Sequence, residues 1–133
     1  MRLKELFLVT AIVEIATGLA LLGLPAIVLA SLLGIQPATA ETLVVGRIAG
    51  AALLAIGVAS FLARNDARLP AQRGLLTGIL LYDVLAAVLL VYAVLVGQMS
   101  GPALWPAVAL HTLLAVWCVL CLGAGPRGTA SRF

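Results

Sequence analysis

Residues 74–96 read GLLTGILLYDVLAAVLLVYAVLV, and Asp83 is the single charge among them. A helix needs about 20 mostly apolar residues, at about 1.5 Å each, to cross the hydrocarbon core of a bilayer. This run meets that length, and it is not isolated. Leu6–Leu22, Leu43–Ala63 and Ala103–Leu122 are apolar stretches of the same kind. The reading is therefore an all-α bundle of four transmembrane helices, spans 6–22, 43–63, 74–96 and 103–122, forming a single membrane domain over residues 1–133.

Composition supports this. The 133 residues are 64% hydrophobic and only 10% charged, with a mean hydropathy of +1.23. A soluble domain carries about 25% charged residues to cover its core. The basic balance, a net charge of +3, does not indicate nucleic acid, because the basic residues lie in short loops and at the ends. Met1-Arg2-Leu3-Lys4 followed by apolar residues resembles a signal peptide, but Glu14 interrupts the run and three more apolar segments follow. It reads as a retained first helix.

Between the spans lie the breakers. Gly23-Leu24-Pro25 ends the first span, since proline lacks an amide donor and clashes with the preceding turn. Pro25 then opens a short outer helix, 25–33, at the membrane interface. The competing reading is one long kinked helix from Leu6 to Leu33. Gly34–Thr39 is a loop, with Thr39 or Glu41 opening the second span. Arg64–Arg73 is a polar loop, Gly97–Pro102 a tight turn, and 123–133 a polar tail.

Arginine and lysine placement sets the orientation. Arg2, Lys4, Arg64, Arg68, Arg73, Arg127 and Arg132 share one side of a four-span topology, and the opposite loops carry none. Short cytoplasmic loops hold the excess of basic residues. Both termini are therefore expected in the cytoplasm, and the protein in a bacterial inner membrane.

Four ionisable residues lie inside the spans, one per helix: Glu14, Arg47, Asp83 and His111. Each costs roughly 2.5–3.5 kcal/mol at the bilayer centre, so each needs a partner or a task. Counted at about 1.5 Å per residue, Glu14, Asp83 and His111 fall within roughly 5 Å of the midplane. Arg47 is shallower and either reaches inward or snorkels to the outer headgroups. Small residues flank them at helical spacing: Thr10, Ala11, Thr17 and Gly18 around Glu14, Gly50 and Ala51 after Arg47, and Ala86 and Ala87 after Asp83. Bulky Leu54 weakens the second stripe. Small residues let helices approach closely in lipid, so the four polar groups are expected to converge, with Tyr82 beside Asp83. The bland reading is that Glu–Arg or Asp–Arg pairs merely hold helices together. The sharper one is a ligand- or proton-binding cluster.

Weaker signals complete the inventory. Cys118 and Cys121 form a CxxC within the last span; a redox pair is one reading, small residues buried in packing the other. Trp105 and Trp117 look like interface anchors. His111 alone supplies one axial ligand, which argues against heme. No metal-ligand spacing, phosphate loop or nucleophile elbow is present, and no metal centre is expected.

The acid followed by glycine on helix one (Glu14, Gly18), the arginine and glycine on helix two (Arg47, Gly50) and the polar positions on helices three and four (Asp83, His111) together resemble the small bacterial four-helix DoxX-like membrane proteins. The resemblance covers about Leu6 to Leu122. Some DoxX-type members are associated with quinone-linked sulfur oxidation, so it implies a membrane partner and admits quinone or lipid as a ligand. It carries over no catalytic residue. The leading expectation is non-enzymatic: a ligand-binding or accessory subunit, in a homo-oligomer or a larger membrane complex. A quinone-linked redox component and a proton-coupled carrier acting as an oligomer are the alternatives.

The topology has a direct test. In a Cys118→Ala/Cys121→Ala background, Ser100→Cys and Gln36→Cys should react with an impermeant thiol reagent on intact cells, and Ala67→Cys should not. The opposite pattern would reverse the orientation.

Overall fold

The computed structural model of the chain describes residues 3–66 and 69–123. Among the described residues, five helices follow one another without a strand: α1 Leu3–Gly23, α2 Pro25–Leu33, α3 Ala40–Ala63, α4 Leu69–Leu95 and α5 Leu104–Gly123. Four of these, α1, α3, α4 and α5, are long and apolar enough to cross a membrane.

The chain breaks where the proline demands it. Leu24 leaves the helical region (φ −131°, ψ 50°) and Pro25 stands in the first turn of α2, where its missing amide costs no hydrogen bond. α2 stops at Gly34, whose φ of 73° is left-handed and whose amide bonds the Ala30 carbonyl, a conformation glycine adopts without a Cβ penalty. Thr39 caps α3 by accepting the Thr42 amide on its hydroxyl at 3.3 Å. One boundary differs from the sequence reading. α4 begins at Leu69, so residues 69–73, expected in the polar loop, are helical. Pro70 falls in the first turn of α4, where proline is tolerated. Gln72 follows and donates to the Ala63 carbonyl at the end of α3 at 2.9 Å.

The helices alternate in direction. One end gathers Leu6 and Phe7 of α1, Ile56 and Ala63 of α3, Leu76 and Ile79 of α4, and Leu114 and Cys118 of α5 into an apolar core. Lys4, Arg64 and Arg73 lie at this end by their positions in the helices; Arg2, Arg68, Arg127 and Arg132 fall outside the described residues. At the other end the Ala103 amide donates to the Ser31 carbonyl at 2.8 Å, tying α2 to the start of α5.

Packing is uneven. α1 lies chiefly on α3 and α4 chiefly on α5, with slighter contact between the two pairs. The α1–α3 contact is made by glycine. α3 buries Gly46, Gly50, Leu53, Gly57 and Ser60, a stripe at alternating four- and three-residue spacing. A Cβ on Gly18 would stand 2.7 Å from the Gly50 carbonyl oxygen, and one on Gly50 would stand 2.8 Å from the Gly18 carbonyl oxygen. Two helix backbones touch here, as small residues permit in lipid.

Gly18→Leu or Gly50→Leu should therefore lower the melting temperature in detergent, at a cost of at least about 1–3 kcal/mol for overpacking. Gly78→Leu on α4, where a Cβ meets nothing within 4 Å, should leave it unchanged. Equal effects at all three positions would contradict this packing.

Candidate functional site

Three of the four intramembrane polar residues meet. Glu14 and Asp83 are each 1% exposed, and they reach the interior from α1 and α4, with His111 arriving from α5. One ligand atom from each of the three lies within 4.8 Å of the others. The closest link is from His111 Nδ1 to Asp83 Oδ1 at 2.8 Å, which joins α5 to α4. Tyr82 stands edge-on to the imidazole, with ring centroids 5.4 Å apart at 84°.

Local sequence explains the convergence. On α1, Thr10, Ala11, Glu14 and Gly18 are all buried. The glycines of α3 press on Ala11, Ile15 and Gly18, and Glu14 lies beside that contact on the same buried side of α1. Its neighbours on the next helix pair come from α4 and α5, whose mutual packing includes the Asp83–His111 bond.

The set is polar but incompletely satisfied. Glu14 Oε1, Asp83 Oδ2 and Thr10 Oγ1 are buried with no hydrogen-bond partner. A buried polar group left unpaired costs about 1–3 kcal/mol, more when charged, and there is no water in the hydrocarbon core to relieve it. Beside them lies a cavity of about 350 Å³. Glu14, Thr17, Tyr82 and His111 form its polar part, and residues of α2 and Ala103 and Ala107 of α5 continue it toward the α2 end of the bundle. Such a volume is within the range of small-molecule sites.

Arg47 does not join this group. Its Nε donates to the Leu22 carbonyl at 3.3 Å, and the side chain is exposed. The expectation that it reaches the acids fails for two reasons. The packing stripe of α3 runs through Gly46, Gly50 and Leu53, whereas Arg47 and Ala51 are exposed. One residue of helix turns a side chain by about 100°. In addition, the break at Leu24 leaves the last carbonyls of α1 without helical donors, and these are good partners for an arginine. Arg47 serves as a cap on the end of α1.

The cysteines are also set apart. Both are free, and Cys118 is fully buried within the apolar core formed with Leu6, Phe7 and Leu76. One heptad, about 10 Å of helix rise, separates Cys118 from His111. The structure therefore does not bring the CxxC into the polar site. Trp105 is 60% exposed, as an interface anchor would be, whereas Trp117 packs against the core with its indole N–H buried on the side of Cys121.

No metal-ligand spacing is visible along the chain, because the three donors come one each from α1, α4 and α5. Their similar depth and the small residues flanking them are the signals in the sequence that place them together. The chain matches no protein-family model, and no curated protein or solved structure is significantly similar to it.

The geometry predicts which residues are energetically coupled. A double-mutant cycle on Asp83→Ala and His111→Ala should return a coupling of roughly 0.5–3 kcal/mol, as expected for residues in contact. The same cycle on Asp83→Ala and Arg47→Ala should be additive within about 0.5 kcal/mol. Strong Asp83–Arg47 coupling would restore the buried ion pair that this structure excludes.

Proposed function

We propose that this chain is a small multi-pass inner-membrane protein that binds an amphiphilic molecule between its helices, with its described basic end and both termini on the cytoplasmic side. The observation that carries the reading is Glu14 Oε1, buried and unpartnered, in the wall of the 350 Å³ cavity. The unsatisfied Glu14 carboxylate oxygen is an acceptor, so the polar head of the ligand supplies a donor. Most of the remaining cavity wall is aliphatic, which suits an apolar body drawn from the bilayer. A quinol, with donating hydroxyls on an apolar tail, is one molecule of this chemistry, and it accords with the DoxX-like resemblance. The chain acts as a binding or accessory subunit, as a homo-oligomer or within a larger complex. The outward face of α4, including Leu81, Leu85, Val88, Leu89 and Tyr92, is exposed and is available to lipid or to another subunit.

Two substitutions separate binding from stability. Glu14→Gln keeps the side-chain shape and removes the charge; Ala107→Phe fills the cavity. Mass spectrometry of extracts from protein purified in mild detergent should find one class of amphiphile with the wild-type chain. That class should fall at least tenfold with either variant, while the melting temperature stays within a few degrees. Equal small-molecule content in all three preparations would refute the binding reading.

A further inference from the structure

We propose that Glu14, Asp83 and His111 form a site for a divalent first-row metal ion inside the membrane. The proposal uses Glu14 and His111 at the polar end of the cavity together with the buried Asp83, and it does not depend on an amphiphile filling the rest of the space.

Three observations point to an ion. The donors are of the right kind and number: two carboxylates and one imidazole, each offering one atom, with the three atoms within 4.8 Å of one another. Zinc bonds to carboxylate oxygen and imidazole nitrogen are about 2.0–2.2 Å, which sets ligand atoms about 3.5 Å apart, so a pair at the 4.8 Å limit closes by only about 1–1.5 Å. Next, the acids have free valence where it is needed. Glu14 Oε1 and Asp83 Oδ2 are buried with no partner, in residues each 1% exposed. Last, the charge closes. Two carboxylates and a neutral imidazole sum to −2, and a divalent cation cancels it without a protein cation. No lysine or arginine among the described residues pairs with either acid, and Arg47 is engaged with the Leu22 carbonyl.

The mixed donor set selects the class of ion. Imidazole favours zinc, iron, nickel and copper, whereas sites for magnesium and calcium are built from oxygen alone. Three protein ligands leave a coordination position open, as in zinc sites that bind an exchangeable water or substrate. Glu14 and His111 both line the cavity, so that position faces it. His111 Nδ1 and Asp83 Oδ1 already lie 2.8 Å apart, so the ring is held beside the carboxylate before an ion arrives, and the ion takes the place of the proton between them.

Cobalt(II) is the probe, because it replaces zinc in such sites and its visible ligand-field absorption reports coordination. The full chain, purified without a polyhistidine tag and treated with chelator, should bind one Co2+ per chain. Zn2+ should displace it. Glu14→Gln and Asp83→Asn should each weaken Co2+ binding at least tenfold, and His111→Ala should also change the spectrum. Circular dichroism on the same samples identifies any variant that fails to fold; the near-isosteric Glu14→Gln carries the test if His111→Ala does so. Substoichiometric binding by the folded wild-type chain, or binding unchanged in the Glu14→Gln/Asp83→Asn double variant, overturns the metal site. Loss of the co-purified amphiphile in Ala107→Phe with Co2+ binding intact would show that the two readings stand separately. Retention of the amphiphile by wild-type protein that takes up no cobalt would remove the ion and leave the binding cavity.

Discussion

The hydrocarbon core offers no hydrogen bonds, and two carboxylates of this protein lie within it by the depth of their helices. Glu14 and Asp83 must find their partners inside the chain or in something the chain binds. The histidine of α5 answers part of this demand, through its 2.8 Å bond to Asp83. Because that bond crosses from α4 to α5, it also pins the register of those two helices. The remaining unsatisfied oxygens are what give the interior its chemical character.

The two helix pairs are held by different forces. α1 and α3 meet through bare backbone at Gly18 and Gly50, where close approach maximises dispersion contact and apolar helices have little else to attract them. α4 and α5 are joined by a polar bond as well as by packing. Between the pairs the contact is slighter, and toward the α2 end it opens into the cavity. The opposite end is filled by Phe7, Leu6, Leu76 and their neighbours. Space and polarity are therefore concentrated at mid-depth and beyond, on the side away from Lys4, Arg64 and Arg73. A binding site is expected at such a junction of helices in a bundle.

The same demand for satisfied polar groups explains the residues that stay out of the site. Arg47 finds carbonyls left open by the break at Leu24, so its charge meets the end of α1 and not the acids. Gln72 does similar service for the end of α3. Cys118 has no strong hydrogen bond to seek and behaves as a small apolar side chain in the core. Each of these is a local solution, and together they leave Glu14, Asp83 and His111 without a competing cation among the described residues.

Four spanning lengths of apolar sequence, punctuated by Gly23-Leu24-Pro25, Gly34–Thr39 and Gly97–Pro102, were enough to read the helices and the break before α2. Length and hydropathy set these directly, because a helix satisfies its own backbone wherever it lies. The similar depth of Glu14, Asp83 and His111 was also legible, since rise per residue is fixed. What the linear chain left undetermined was rotation about each helix axis. Arg47 and Gly46 are adjacent in sequence, yet one faces outward and the other faces the packing interface; only the contact of α1 with α3 decides between them. Likewise α4 starts at Leu69, and Gln72 in its first turn reaches back to the Ala63 carbonyl, a contact that local spacing does not show. The meeting of three ligand atoms from three helices, and the cavity beside them, exist only in the tertiary structure, because both arise from how the helix pairs lean on one another and not from any one helix.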